Sequence, residues 1–459
     1  MLRALSHRLT AFFRATAPDP FVLAVALTCL VVVLAIVVEG TSPLDAVRAW
    51  QGDAGFWSLL AFSMQMVLIL VTGHALAATK PVRAAIRVFV GLPRDGAQAA
   101  ALVAFVAMAM ALINWGLGLI VGALLARDMG RACRERSIRA DYPLLVAAGY
   151  SGLMCWHGGL SGTAPLKMTT EADVTRFLGE ELAATVDPVA FSRTVLSVEN
   201  LVTTGGLLVL VPLTCWLLSP KAGAPVDGDA PVPPPEEPAD ADPPESESLT
   251  WPERLGRHPL GLVLVLPLLL AAIVLFFFEV GVDRLDPNAI NLVFLALGLA
   301  LHGSLTGYAK ALGDATQNAS GIILQFPFYA GIMGIMRSTG LAATMAEGLS
   351  SLAPDRLYTV VTFLSSGLVN LFVPSGGGQW AVQGPIAVEA AQRLQIPIEQ
   401  AVMAVAYGDQ WTNMLQPFWA LPLLAITGVK AKHILGYTTV FLLVGGAWMM
   451  LSLVVQASL

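Results

Sequence analysis

Charge is scarce in this chain: Asp, Glu, Lys and Arg make up 13% of 459 residues, while 56% are hydrophobic. Soluble domains of ordinary composition carry roughly 25% charged residues, so one is excluded and a polytopic membrane protein is implied. Cysteine is rarer still. Four scattered residues, Cys29, Cys133, Cys155 and Cys215, show neither metal-ligand spacing nor a disulfide framework. No transition-metal site is expected, and each is read as a small buried hydrophobe. No glycine-rich loop leads into a lysine, so nothing points to ATP hydrolysis. The net charge of −6 reflects acid concentrated in one segment, and no nucleic-acid partner or cofactor is expected. The first apolar run follows Arg3, Arg8 and Arg14 as a signal peptide would, yet no small-residue cleavage site comes after it. It reads as an uncleaved first helix behind a cytoplasmic N-terminus.

What the chain does have is long apolar runs. They cover 21–38, 56–79, 97–126, 142–166, 201–218, 259–278, 287–309, 315–336, 357–388, 400–429 and 434–459. Most can cross a bilayer core of about 30 Å, and together they imply about nine full crossings and two hairpins. Residues 1–20 are expected to be a cytoplasmic amphipathic segment lying on the membrane, with Leu2, Leu5, Leu9, Phe12 and Phe13 opposite the arginines. Residues 219–258, rich in proline and acid, cannot form a core and read as a disordered, cytoplasmic linker. They separate a first transmembrane repeat, 21–218, from a second, 259–459.

Inside the charge-free run 357–388, Pro374 precedes Ser375, Gly376, Gly377 and Gly378. Proline lacks the amide and glycine favours coil, so continuous helix is not expected there. Irregular backbone at membrane depth survives only when buried in protein or lining a wet cavity, which is the condition of a transport site. The bland alternative is a kink in an ordinary hairpin. A matching interruption stands at Asn114-Trp115-Gly116, about 256 residues before Asn370. Tyr150 and Trp156 answer Tyr407 and Trp411, and Gln65 answers Gln325, at about the same offset. Such spacing implies an internal repeat. Residues 97–126 would measure about 45 Å as one helix, too long for one crossing, and arginines flank both ends. A re-entrant hairpin from the cytoplasm fits, and counting crossings places the second hairpin on the opposite side. The fold class expected is therefore an all-α polytopic membrane protein of two inverted repeats. Each contains a re-entrant hairpin and a broken transmembrane helix, 142–166 or 400–429.

Several stretches resemble the short-chain fatty acid transporters of bacterial acetoacetate and butyrate uptake. They are Phe56-Trp57-Ser58-Leu59-Leu60-Ala61-Phe62 through Gly73-His74-Ala75-Leu76, Ile113 to Gly118, Val373 to Gly378, and Ala406-Tyr407-Gly408-Asp409-Gln410-Trp411 through Pro422. The resemblance covers nearly the whole chain outside the linker. It implies a secondary active transporter of short monocarboxylates in the bacterial inner membrane, and a distant likeness to ion-transporter folds with two opposed hairpins.

The residues themselves are consistent with an anion site. No Lys or Arg lies within the hairpins, so a carboxylate would be held by amides, hydroxyls and half-helix ends. The expected substrate-binding residues are Asn114, Trp115 and Gly116, Ser161, Gly162 and Thr163, and Asn370 with Ser375, Gly376, Gly377 and Gly378. Asp409 is the sole charge in 400–429, and a carboxylate at that depth costs about 2.5 to 3.5 kcal/mol on insertion scales. It is read as a proton carrier, or as part of a coupling-ion site with Asn413 and Gln416, the ion being H+ or Na+. The competing reading is a structural carboxylate bonded to Trp411 or to backbone amides. His74 and His157 are expected to be satisfied polar residues in packed spans, and Glu199 and Asn200 to be interfacial. Membrane lipid and a homo-oligomeric partner copy remain expectations. The rival functions are a sodium-coupled carrier of other organic anions, an intramembrane enzyme using His157 and Asp409, and a channel.

Overall fold

The structure is a computed structural model that describes residues 2–220, 231–234, 250–279, 287–316, 319–350 and 357–458. Most of the linker expected at 219–258 lies outside the described residues. Every regular element among them is helical. Five helices are long and apolar enough to cross a membrane: Pro20–Glu39, Leu60–Ala77, Gly96–Ile113, Val198–Leu218 and Ala431–Gln456. The protein is an all-helical, multi-pass membrane protein.

Local chemistry sets the helix ends. Asp19 caps Pro20–Glu39 by accepting from Phe21 N, Pro20 occupies the first turn, and Gly40 closes the helix at φ 65°. Only Ala24, Val31 and Ala35 of this helix are buried, so most of its uniformly apolar surface faces outward, toward lipid. The amphipathic helix expected at the N-terminus forms over Leu2–Thr16, but it is docked on the bundle. A Cβ at Gly436, on the last helix, would lie 2.5 Å from Thr10 N, and Arg3 Nε donates to Leu217 O at 2.6 Å. Glycine at 436 is what permits the helices to approach so closely.

The run 97–126 breaks at Asn114 into two antiparallel arms, Gly96–Ile113 and Trp115–Glu135. A Cβ at Gly118 would come 2.5 Å from Ala111 Cα, so the arms touch nearly backbone to backbone beside the tip. At the open end, Arg136 donates to Val90 O and Pro93 O at 3.0 and 2.8 Å, joining the two basic flanks. The second hairpin pairs Tyr358–Asn370 with Gly376–Arg393. Gln379 Nε2 donates to Ser366 O at 2.9 Å and Gln383 Nε2 to Ser365 Oγ at 3.2 Å, fixing the register of its arms.

A broken span follows each hairpin. The first runs through Tyr142–Tyr150, the 3-10 turns Ser151–Met154 and Trp156–Gly158, and the short helix Thr163–Leu166. The second comprises Ile398–Thr412, the 3-10 turn Asn413–Leu415, and Pro417–Thr427, closed by Gly428 at φ 69°. Pro417 fits because a helix's first turn has no use for its missing amide hydrogen. The order hairpin, then broken span, thus occurs twice.

Candidate functional site

The two broken spans meet at their breaks. Tyr150 donates its hydroxyl to Asn413 O at 2.8 Å and to Gln416 O at 3.0 Å, serving carbonyls that the interrupted helix leaves open. The tip of the second hairpin joins them through Asn370, which is fully buried. Its Nδ2 lies within donating distance of Asp409 O at 2.7 Å, Thr412 Oγ1 at 3.0 Å and Asn413 Oδ1 at 3.0 Å. Gln416 Nε2 donates back to Asn370 O. Asn370 and Gln416 therefore hold the break in shape.

Beside this junction is a cavity of about 190 Å³. Pockets for drug-sized ligands measure roughly 300 to 1,000 Å³, so this one suits a molecule of few heavy atoms. Of the residues singled out from the sequence, Trp115, Thr163, Ser375, Gly376, Gly377 and Asn413 line it. Phe62, Gln65, Leu153, Trp156, Pro287 and Trp419 complete the wall, and sequence reasoning did not place them in the site. Gln65 carried a signal, being a polar residue in an apolar run matched by Gln325. The aromatics carried none, because a tryptophan in a membrane span reads equally well as lipid-facing.

None of the lining residues among those described is charged. The helix Gly376–Arg393 starts at the cavity, and Ser375 caps it by accepting from Gly378 N at 3.2 Å. That leaves the Gly376 and Gly377 amides without a protein acceptor among the described residues. Two free N–H groups at the positive end of an 18-residue helix form an anion cradle. The first hairpin differs. Asn114 Oδ1 accepts from Gly116 N at 2.9 Å and Leu117 N at 3.3 Å, and Trp115 N donates to Ser161 Oγ at 3.1 Å. Its tip amides are consumed internally, and Gly162 N donates to Gly159 O at 3.1 Å.

Asp409 is buried. Its Oδ1 lies 3.5 Å from His157 Nδ1, which is also 3.1 Å from Ala406 O. Trp411 Nε1 donates to Leu442 O at 2.8 Å, so it does not hold the Asp409 carboxylate. His157 is only half satisfied: its Nε2 is buried without a hydrogen-bond partner among the described residues. His74 lines a separate small pocket with Ala78, Arg83, Arg127 and Arg131. Asn200, expected at the interface, is instead buried. Its Nδ2 donates to Gly158 O at 2.9 Å and its Oδ1 accepts from Tyr407 at 2.9 Å, tying one break to the other span. Glu199 beside it is exposed. No group of three or more His, Cys, Asp or Glu residues among those described could hold a metal ion.

Two interrupted helices meeting beside a small cavity, uncharged among the described residues, are the arrangement a transport site needs. Residues 1–456 match the family described as short chain fatty acid transporter, and the chain belongs to that family. It is a transporter and not an enzyme. Two bacterial relatives carry the provisional name of short-chain fatty acid transporter. The one from Escherichia coli K12 is 39% identical over 97% of this chain and 98% of its own length. The one from Haemophilus influenzae Rd is 35% identical over 95% of this chain and 96% of its own. Among solved structures, the YdaH transporter of Alcanivorax borkumensis is 18% identical and superposes with a TM-score of 0.44, covering 95% of this chain and 98% of that one.

Proposed function

We propose that this protein is a secondary active carrier that moves short-chain fatty acid anions, of the acetate, butyrate and acetoacetate class, across the bacterial inner membrane together with a cation. Its two halves act as inverted repeats, with the hairpins entering from opposite faces and the N-terminus in the cytoplasm. The observation that carries this reading is the pair of free amides, Gly376 and Gly377, opening into a cavity of about 190 Å³ that no charged residue among those described lines. A single carboxylate fits such a cradle, whereas a dicarboxylate or citrate calls for an arginine clamp. Charge-assisted hydrogen bonds contribute about 1.5 to 3 kcal/mol each and a helix terminus up to about 2 kcal/mol. Less the loss of free motion, only weak binding follows, which suits release of cargo at each turnover. The apolar wall, Phe62, Leu153, Trp156 and Trp419 among it, receives the short alkyl tail.

Radiolabelled butyrate uptake into sealed proteoliposomes tests this, with proton and sodium gradients imposed separately and protein-free vesicles as the baseline. Accumulation of unchanged butyrate above equilibrium under one of the gradients is expected. Equilibration without accumulation would make the protein a channel, and no protein-dependent uptake would remove the cargo assignment.

A further inference from the structure

His157 sits between the amide cradle and Asp409. Its ring stacks on Trp156 with centroids 3.8 Å apart and planes 19° from parallel, and Trp156 lines the cavity. Nδ1 faces Ala406 O, which can only accept, at 3.1 Å, and Asp409 Oδ1 at 3.5 Å, so the ring hydrogen belongs on Nδ1. Nε2 points the other way, buried and without a partner among the described residues, toward the start of the helix that forms the cradle. A Cβ built on Gly376 would lie 3.1 Å from Nε2 and 3.1 Å from Thr163 Oγ1. Glycine at 376 thus lets the cradle and the imidazole share one small space.

In the neutral ring, Nε2 is a bare acceptor, and a carboxylate docked on Gly376 and Gly377 brings only more acceptors. The cargo also brings a negative charge into a buried site, and no Lys or Arg among the described residues lines the cavity to offset it. An uncompensated charge away from water is costly. One proton on Nε2 removes both difficulties. The imidazolium then donates through Nε2 to the cargo carboxylate, and through Nδ1 to Ala406 O and Asp409. Of the other titratable groups on neighbouring elements, Tyr407 is turned to Asn200 at 2.9 Å and Glu199 is exposed. Lys167 lies 3.4 Å from Asp173, and Glu389 3.3 Å from Arg393 at the far end of the cradle helix. Asp409 is the titratable side chain that faces His157.

Resting on the carboxylate site proposed above, we infer that His157 is the residue that carries the symported proton. Water on the side of entry supplies H+, which binds Nε2 as the anion docks, and both leave on the opposite side. Asp409 is a positioning residue that orients the ring and stabilises its charged form.

Calorimetric titration of butyrate into the purified full-length protein tests this near neutral pH, where free butyrate is ionised, in buffers of differing ionisation enthalpy. The dependence of observed heat on buffer enthalpy counts protons taken up. About one proton per butyrate bound is expected for wild type. His157→Gln should bind butyrate several-fold more weakly and take up none. Butyrate binding by wild type without proton uptake overturns the inference while leaving the cargo reading intact, and this arm requires no variant to fold. Full proton uptake by His157→Gln also overturns it, placing the proton elsewhere. Failure of wild type to bind butyrate at all overturns both readings.

Discussion

Tyr150 donates its hydroxyl to the carbonyl of Asn413 at 2.8 Å, a bond that holds the break in one span against the break in the other. The same hydroxyl reaches Gln416 O at 3.0 Å. An interrupted helix at membrane depth leaves carbonyls that lipid cannot satisfy, and here a buried tyrosine from the opposite half satisfies them. The junction that frames the cavity is therefore also a point where the halves of the chain are mechanically joined.

Tyr150→Phe keeps the ring and removes only the hydroxyl. Two buried carbonyls lose their donor, at about 1 to 3 kcal/mol for an unsatisfied group. The variant should melt at a lower temperature in detergent and transport butyrate more slowly, its cavity wall being unaltered. Wild-type melting and uptake together would mean that the two breaks are not coupled through this contact.

Much of this arrangement is legible in the sequence, for a physical reason. Asn114, Pro374 and the glycines after Ser375 interrupt apolar runs where lipid tolerates no loose backbone, so the breaks could be placed from composition alone. Tyr150 and Asn413 could not be paired that way, because their contact spans 263 positions and depends on how two spans cross. The same holds for Phe62, Pro287 and Trp419, which reach the cavity from elements whose local pattern says only that they are apolar. Asn114 illustrates a subtler limit. The sequence offered the first hairpin's tip as a donor site like the second, but Ser161 accepts from Trp115 N and Asn114 from Gly116 N, the counterparts of the Gly376 and Gly377 amides that the second tip leaves free. A capping asparagine and a capping serine look alike until the geometry shows which amides each one takes.

Asp409→Asn removes the titratable carboxyl at nearly constant size. The backbone contact that fixes this position, Asn370 Nδ2 to Asp409 O at 2.7 Å, is untouched, so the variant should fold and insert. Without the carboxylate, nothing stabilises a charged partner beside it, and gradient-driven accumulation should fall at least tenfold, equivalent to about 1.4 kcal/mol, while butyrate exchange persists in part. Accumulation at the wild-type level would return Asp409 to a structural role.

The cradle itself is tested at Gly377. A Cβ there meets only Thr163 Cγ2 at 3.7 Å, an ordinary contact, so Gly377→Ala introduces no clash. Alanine is also the better helix former, and a mere kink would accept it without loss. If the amides of Gly376 and Gly377 hold the carboxylate, however, the new methyl stands in the approach to them, and butyrate affinity should fall roughly tenfold or more, about 1.4 kcal/mol. The comparison variant is Gly205→Ala, where nothing lies within 4 Å of the added Cβ. Gly445 is unsuitable for that purpose, since a Cβ there would strike Met154. Gly205→Ala should match wild type in melting temperature and uptake, and Gly377→Ala should match it only in melting temperature. Butyrate bound and transported by Gly377→Ala as by wild type would mean that the carboxylate is held elsewhere, however well the loop fits it.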